Sequence, residues 1–276
     1  LLLVTFLPLC IFIFFYKYLN KKYALILFTS FIFIPIFENM GFGFFNYIWQ
    51  IARNHAETLS IVLILLSLTM LVDLNKNYNK IHNLETILVL IGLMLAIAAM
   101  CRPNFFPTTL ILCSYTSLIC ILNKHYFKSI LILFGYSSIL LCLVHNVYFG
   151  NSYKFFTNAE VHFMFNQVFL QLNPQNDNIN YLLSQFLLWN PLYNIHRLVI
   201  LFLIIYFILF RKQCLFTYSL FLCIISQHAV LLLTHPSSRY AYLAWLLTFI
   251  LFMKIEFDNK LFKSIYLSFK KLIKVN

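Results

Sequence analysis

The chain has 276 residues, of which 62% are hydrophobic and only 10% charged, and it carries a formal net charge of +12. Soluble domains average about 25% charged residues, so a water-soluble globule of this composition could not cover its own surface. Disorder, a coiled coil and a disulfide scaffold are excluded on the same grounds. In a soluble protein the basic excess would point to an anionic partner. In a membrane chain it reads as a topological signal, and no nucleic-acid partner is expected.

Apolar runs occupy residues 1–18, 23–37, 58–72, 85–100, 105–122, 129–144, 198–210, 215–233 and 241–253. They are continuous, as in residues 198–210, and do not alternate as barrel strands must. The predicted fold is therefore all-α, a polytopic bundle of about nine transmembrane helices forming a single unit over 1–253, with a basic cytoplasmic tail over 254–276. The first run has neither a charged leader nor a cleavage site, and reads as following a lost upstream segment.

Of the 20 Lys and Arg residues, 15 fall in the odd-numbered connections and the tail, among them Lys17, Lys76, Lys124 and Lys254. The even connections hold Arg53, Arg102, Lys154, Arg197 and Arg239. The positive-inside rule then predicts a cytoplasmic carboxyl end, with the even connections and the amino end outside. The seven cysteines show no CxxC or His-rich spacing, so they read as small apolar packing residues and no metal site is expected.

Chemistry is expected on the outer side, where arginine replaces lysine. Arginine suits fork-like binding of carboxylate or phosphate. The first outer connection ends Arg53-Asn-His-Ala-Glu57, which puts Glu57 in the opening turn of the third span with Arg53 and His55 just before it. The second is Met100-Cys-Arg-Pro-Asn104: Pro103 breaks the chain and sets Arg102 and Asn104 at headgroup depth. The third opens with His145, Asn146 and Asn151 and runs to Arg197. Its apolar patches at 161–172 and 181–189 are too short to span and suit short interfacial helices within loop 145–197. The fourth is Thr234-His-Pro-Ser-Ser-Arg-Tyr240, carrying His235, Arg239 and Tyr240. His228 lies inside the eighth span and reads as a neutral, hydrogen-bonded core histidine. Nucleophile elbows, Walker loops, GxGxxG and HExxH are absent from the sequence, and no cofactor is expected.

The motifs Arg53-Asn-His-Ala-Glu57, Cys101-Arg-Pro-Asn104, His145-Asn-Val-Tyr-Phe-Gly-Asn151 and Ser238-Arg-Tyr240, taken in order and on one side, resemble those of polytopic GT-C glycosyltransferases. That family includes protein O-mannosyltransferases and lipid A aminoarabinose transferases. The resemblance implies transfer of a sugar from a polyprenyl-phosphate donor to a lipid, glycan or protein acceptor, at the outer face of a bacterial inner membrane. It implies that Arg102, Arg239 and Tyr240 hold the departing phosphate, that His145, Asn146 and Asn151 meet sugar hydroxyls, and that Glu57 and His55 lie near the acceptor. Family members place the main catalytic acid in an earlier outer loop, which this chain lacks together with the helix before it, so Glu57 matches only the second acidic position. A polysaccharide polymerase or ligase, or a lipid-linked oligosaccharide flippase, is the competing reading. A flippase predicts polar residues along a path through the bilayer, whereas here they gather at one face.

Overall fold

The computed structural model describes residues 2–19, 21–33, 56–78, 81–151, 153, 191–209, 214–233 and 241–259. Among these residues the fold is all-helical, with no strand. The helices are α1 (Leu2–Tyr18), α2 (Lys21–Phe33), α3 (Ala56–Asn77), α4 (Leu84–Cys101), α5 (Phe106–Leu122), α6 (Tyr126–Tyr136), α7 (Leu140–Gly150), α8 (Pro191–Leu209), α9 (Leu215–Leu233) and α10 (Tyr242–Asn259). Among the described residues, five helical stretches are long and apolar enough to cross a membrane: Ala56–Asn77, Leu84–Cys101, Pro103–Leu122, Tyr126–Gly150 and Leu215–Leu232. Phe6–Tyr18, Asn194–Ile208 and Tyr242–Ile255 are shorter apolar helices. This is the architecture of a multi-pass membrane protein.

Several helices outrun the apolar runs that predict them. α3 continues through Asp73, Asn75, Lys76 and Asn77, because polar side chains at a helix end reach headgroups and water without breaking the backbone ladder. The stretch from α6 to α7 extends the sixth run at both ends, so His145 to Gly150 are helical and not the start of a loop. α8 likewise absorbs Pro191 to Arg197 from the loop expected over 145–197. The predicted interfacial helices at 161–172 and 181–189 lie outside the described residues. α10 runs to Asn259, and Lys254 places its ammonium over the Tyr18 ring at 5.6 Å, so the first residues of the expected tail belong to the bundle.

Two ends of the bundle can be told apart. At one, Lys17 pairs with Asp73, Tyr78 stacks on His125 with ring centroids 5.6 Å apart, and Tyr18 meets Phe216 edge-on. The first, third and fifth connections thus share this lysine end with the start of α9 and the end of α10. Both partners of the Lys17–Asp73 pair are over a third exposed, so it is worth little to stability.

Lipid gives helices no hydrophobic reason to associate, so they hold together by close packing and interhelical hydrogen bonds. The tightest approach is between α4 and α6. A Cβ built on Gly92 would lie 2.3 Å from the Ile132 carbonyl oxygen, and one on Gly135 would lie 2.3 Å from that of Val89. The two glycines let the backbones touch. Tyr136, beside this crossing, is hydrogen-bonded at 3.0 Å to Thr109 of α5. α5 also packs on α9, which packs on α8 and α10. α10 is enclosed: residues 241–251 are all buried except the half-buried Phe249. α7 is the opposite case, with no buried residue.

Candidate functional site

Pro103 creates the local geometry at the other end of the bundle. A residue before proline is pushed out of the helical region, and Arg102 adopts φ −147° and ψ 102° directly after the last turn of α4. Its N–H still bonds back to the Ala98 carbonyl at 3.1 Å, and a short 3-10 turn, Pro103–Phe105, leads into α5. The break aims the Arg102 side chain across to the start of α3. There its Nη2 meets Glu57 Oε1 at 2.5 Å. Glu57 sits in the first turn of α3, where the helix dipole favours an anion, and its side chain is 3% exposed against 22% for Arg102. A carboxylate is therefore buried at the helix end and neutralised by a guanidinium that still reaches the surface.

A polar network continues inward from this pair. Gln227 of α9 donates its Nε2 hydrogens to the Asn104 carbonyl oxygen at 3.2 Å and to Thr108 Oγ1 at 2.7 Å. Thr108 Oγ1 also lies 3.3 Å from Ser226 Oγ. Asn104, Thr108 and Gln227 are all buried. Gln227 thus clamps the turn that carries Arg102 onto α9, satisfying a carbonyl near the proline break. Replacing Gln227 by Leu leaves Thr108 and the Asn104 carbonyl short of a donor. The expected cost is about 1–3 kcal/mol, read as a lower unfolding temperature in detergent, whereas Leu222→Ala on the exposed face of the same helix costs far less.

Next to Gln227 in the chain, His228 turns to α8 and α10. Its Nδ1 lies 2.7 Å from Nδ1 of His196, and its Nε2 lies 3.0 Å from Thr248 Oγ1. Trp245 packs on both rings, with centroids 5.6 Å from His196 and 5.2 Å from His228. Counted at 1.5 Å per residue from their helix ends, His196, His228 and Thr248 all sit ~7–9 Å deep. The expectation of a hydrogen-bonded core histidine at position 228 is met.

The sequence-based candidates separate accordingly. Glu57 and Arg102 come together, while Asn104, two residues on, is held through its backbone carbonyl by Gln227. His145 and Asn146 lie on the unburied α7, their side chains 3.5 Å apart, with the His145 ring 5.0 Å from that of Phe149. Asn151 ends α7 in the left-handed region at φ 46°, a conformation that asparagine tolerates and that accounts for its identity as a cap. Arg53, His55, His235, Arg239 and Tyr240 lie outside the described residues. Sequence reading passed over His196, Gln227, Thr108 and Thr248. The usable signal was His196 and His228 at matching depths on helices consecutive among those described.

Of the cysteines, Cys10, Cys113, Cys120 and Cys223 are buried as expected of packing residues, while Cys214 is exposed at the head of α9. Among the described residues no group of three His, Cys, Asp or Glu side chains could hold a metal ion. No family model, curated protein or solved structure matches the chain.

Proposed function

We propose that the chain is a membrane glycosyltransferase of the GT-C kind that transfers a sugar from a polyprenyl-phosphate donor to a lipid, glycan or protein acceptor at the arginine end of the bundle. The observation that carries this reading is the Glu57–Arg102 pair at the arginine end of the described bundle, backed by the Asn104–Gln227–Thr108 network. A donor of this class leaves as polyprenyl phosphate, and charge grows on its phosphate oxygens as the glycosidic bond breaks. A guanidinium at headgroup depth stabilises that charge. Its five N–H donors allow one fork to address a carboxylate and a phosphate together.

In this reading Glu57 aims Arg102 and lies near the acceptor with His55 and Arg53. Arg239 and Tyr240 take the far side of the phosphate beside His235, and His145, Asn146 and Asn151 approach the sugar. All nine apolar runs span the bacterial inner membrane, with the lysine end and the carboxyl terminus cytoplasmic and the amino end outside. The buried carboxylate–guanidinium pair among the described residues lies at the arginine end, which favours a reaction at that surface.

The test is binding of polyprenyl phosphate to the protein in lipid nanodiscs, against the uncharged polyprenol. Polyprenyl phosphate should bind much more tightly, and Arg102→Lys and Arg102→Ala should weaken it progressively, the alanine variant by about tenfold or more, as expected for a charge-assisted hydrogen bond. Equal binding of the two lipids, or unchanged affinity in both variants, would overturn the proposal.

A further inference from the structure

The buried His196–His228 pair lies outside the roles assigned above, and its hydrogen bonds can be directed. Thr248 Oγ1 lies 2.7 Å from the Ala244 carbonyl oxygen, which can only accept, so the one hydroxyl proton of Thr248 is spent there. His228 Nε2, 3.0 Å from the same hydroxyl oxygen, must then be the donor. Neutral His228 therefore carries its proton on Nε2 and presents a bare Nδ1. The 2.7 Å contact with His196 Nδ1 requires that His196 donate from that atom. Every bond runs one way, from His196 to His228 to Thr248 to the backbone of α10, and the chain starts at His196 Nε2, a lone pair.

We propose that His196 and His228 form a single-proton binding site, with His196 Nε2 as the atom that takes the proton. A proton added there leaves every existing hydrogen bond intact and turns the His196–His228 contact into a charge-assisted one. A second proton would have to go on His228 Nδ1, where two N–H groups would confront each other across 2.7 Å. The pair therefore stores one charge and refuses the next while the three helices stay packed. Trp245, against both rings, offers a π face to that charge.

Among the described residues, these titratable and charged groups stand on the elements packed against the pair. α8 contributes Arg197, which donates to Asn194 Oδ1 at 3.0 Å, and α9 contributes Cys223. α10 contributes Tyr242 and, beyond Thr248 toward the lysine end, Lys254. At the α4–α5 turn Glu57 is paired with Arg102. α8, α9 and α5 contain no Asp or Glu.

The test is solid-state NMR of the ¹⁵N-histidine-labelled protein in lipid bilayers, with the two residues assigned from His196→Gln and His228→Gln. At neutral pH His228 should show protonated Nε2 and bare Nδ1, and His196 the reverse. On acidification His196 Nε2 alone should gain a proton while the pair's hydrogen bond persists. Thr248→Val, which keeps the side-chain shape, should release the His228 tautomer and lower proton uptake by His196 about tenfold, the equivalent of one charge-assisted bond weakened. His228 protonated on Nδ1 at neutral pH, two protons taken up with the contact intact, or unchanged uptake in Thr248→Val would each overturn the proposal. None of these readouts depends on sugar transfer, so failure of the transferase reading and failure of this one are distinguishable.

Discussion

Gly92→Ala should destabilise the bundle by at least about 2 kcal/mol, although it adds a single methyl group to a helix in which alanine is otherwise the better residue. The added Cβ would meet the Ile132 carbonyl oxygen at 2.3 Å and the Tyr136 nitrogen at 2.8 Å. Both are backbone atoms of α6 and neither can rotate away, so the helices must separate along the whole crossing. Gly135→Ala meets the Val89 carbonyl oxygen in the same way and should cost a similar amount. The two substitutions relieve one and the same contact, so the double variant should lose much less than the sum. Gly150→Ala is the control: nothing lies within 4 Å of its built Cβ, and it should be neutral or slightly stabilising. Thermal unfolding in detergent, followed by size-exclusion chromatography, reads all four. Equal stability of Gly92→Ala and Gly150→Ala would show that α4 and α6 do not touch as described.

The second large effect concerns the Glu57–Arg102 pair and should be asymmetric. Arg102→Leu takes the guanidinium away from an almost fully buried carboxylate, and breaking a buried pair from this side costs about 3–5 kcal/mol. Glu57→Gln leaves a guanidinium that is already partly exposed and can turn outward, with a neutral amide in the buried position, so its cost should be distinctly smaller. The double variant Glu57→Gln with Arg102→Leu should recover much of what Arg102→Leu loses, because no buried charge is left over. A double-mutant cycle on unfolding midpoints checks this. Equal single costs, or strict additivity, would mean that the two side chains are not coupled.

The helices were legible because continuous apolar runs admit only one solution in lipid, where each backbone group must be satisfied within its own segment. Pro103 was legible as a break for the same reason. Helix ends were less so: Asp73 and Lys76 look like loop in composition, but in α3 they are the last turns of a helix leaving the apolar layer. The sorting of lysines from arginines correctly grouped residues distant in sequence, since Lys17 with Asp73 and Glu57 with Arg102 are each brought together.

Pairing itself was not legible. Arg102 reaches Glu57 from a different pair of helices, a meeting that no spacing along the chain announces. His196 was hidden in another way. It stands among polar residues at the start of α8, where a histidine attracts no notice, and only its contact with His228 gives it significance.

Enclosure of α10 has a consequence for how this protein is made. Chains enter the membrane in order of synthesis, and the helix that is buried on nearly every side is the last of those described to leave the ribosome. Until it arrives, the earlier helices can meet at Gly92 and Gly135, but Thr248 and Trp245 are missing from the His196–His228 pair. The polar groups of α8 and α9 must wait without the partner that fixes their tautomers. Completion of the core is thus a late event, and the sites beside it become defined only when the final described helix slots into place.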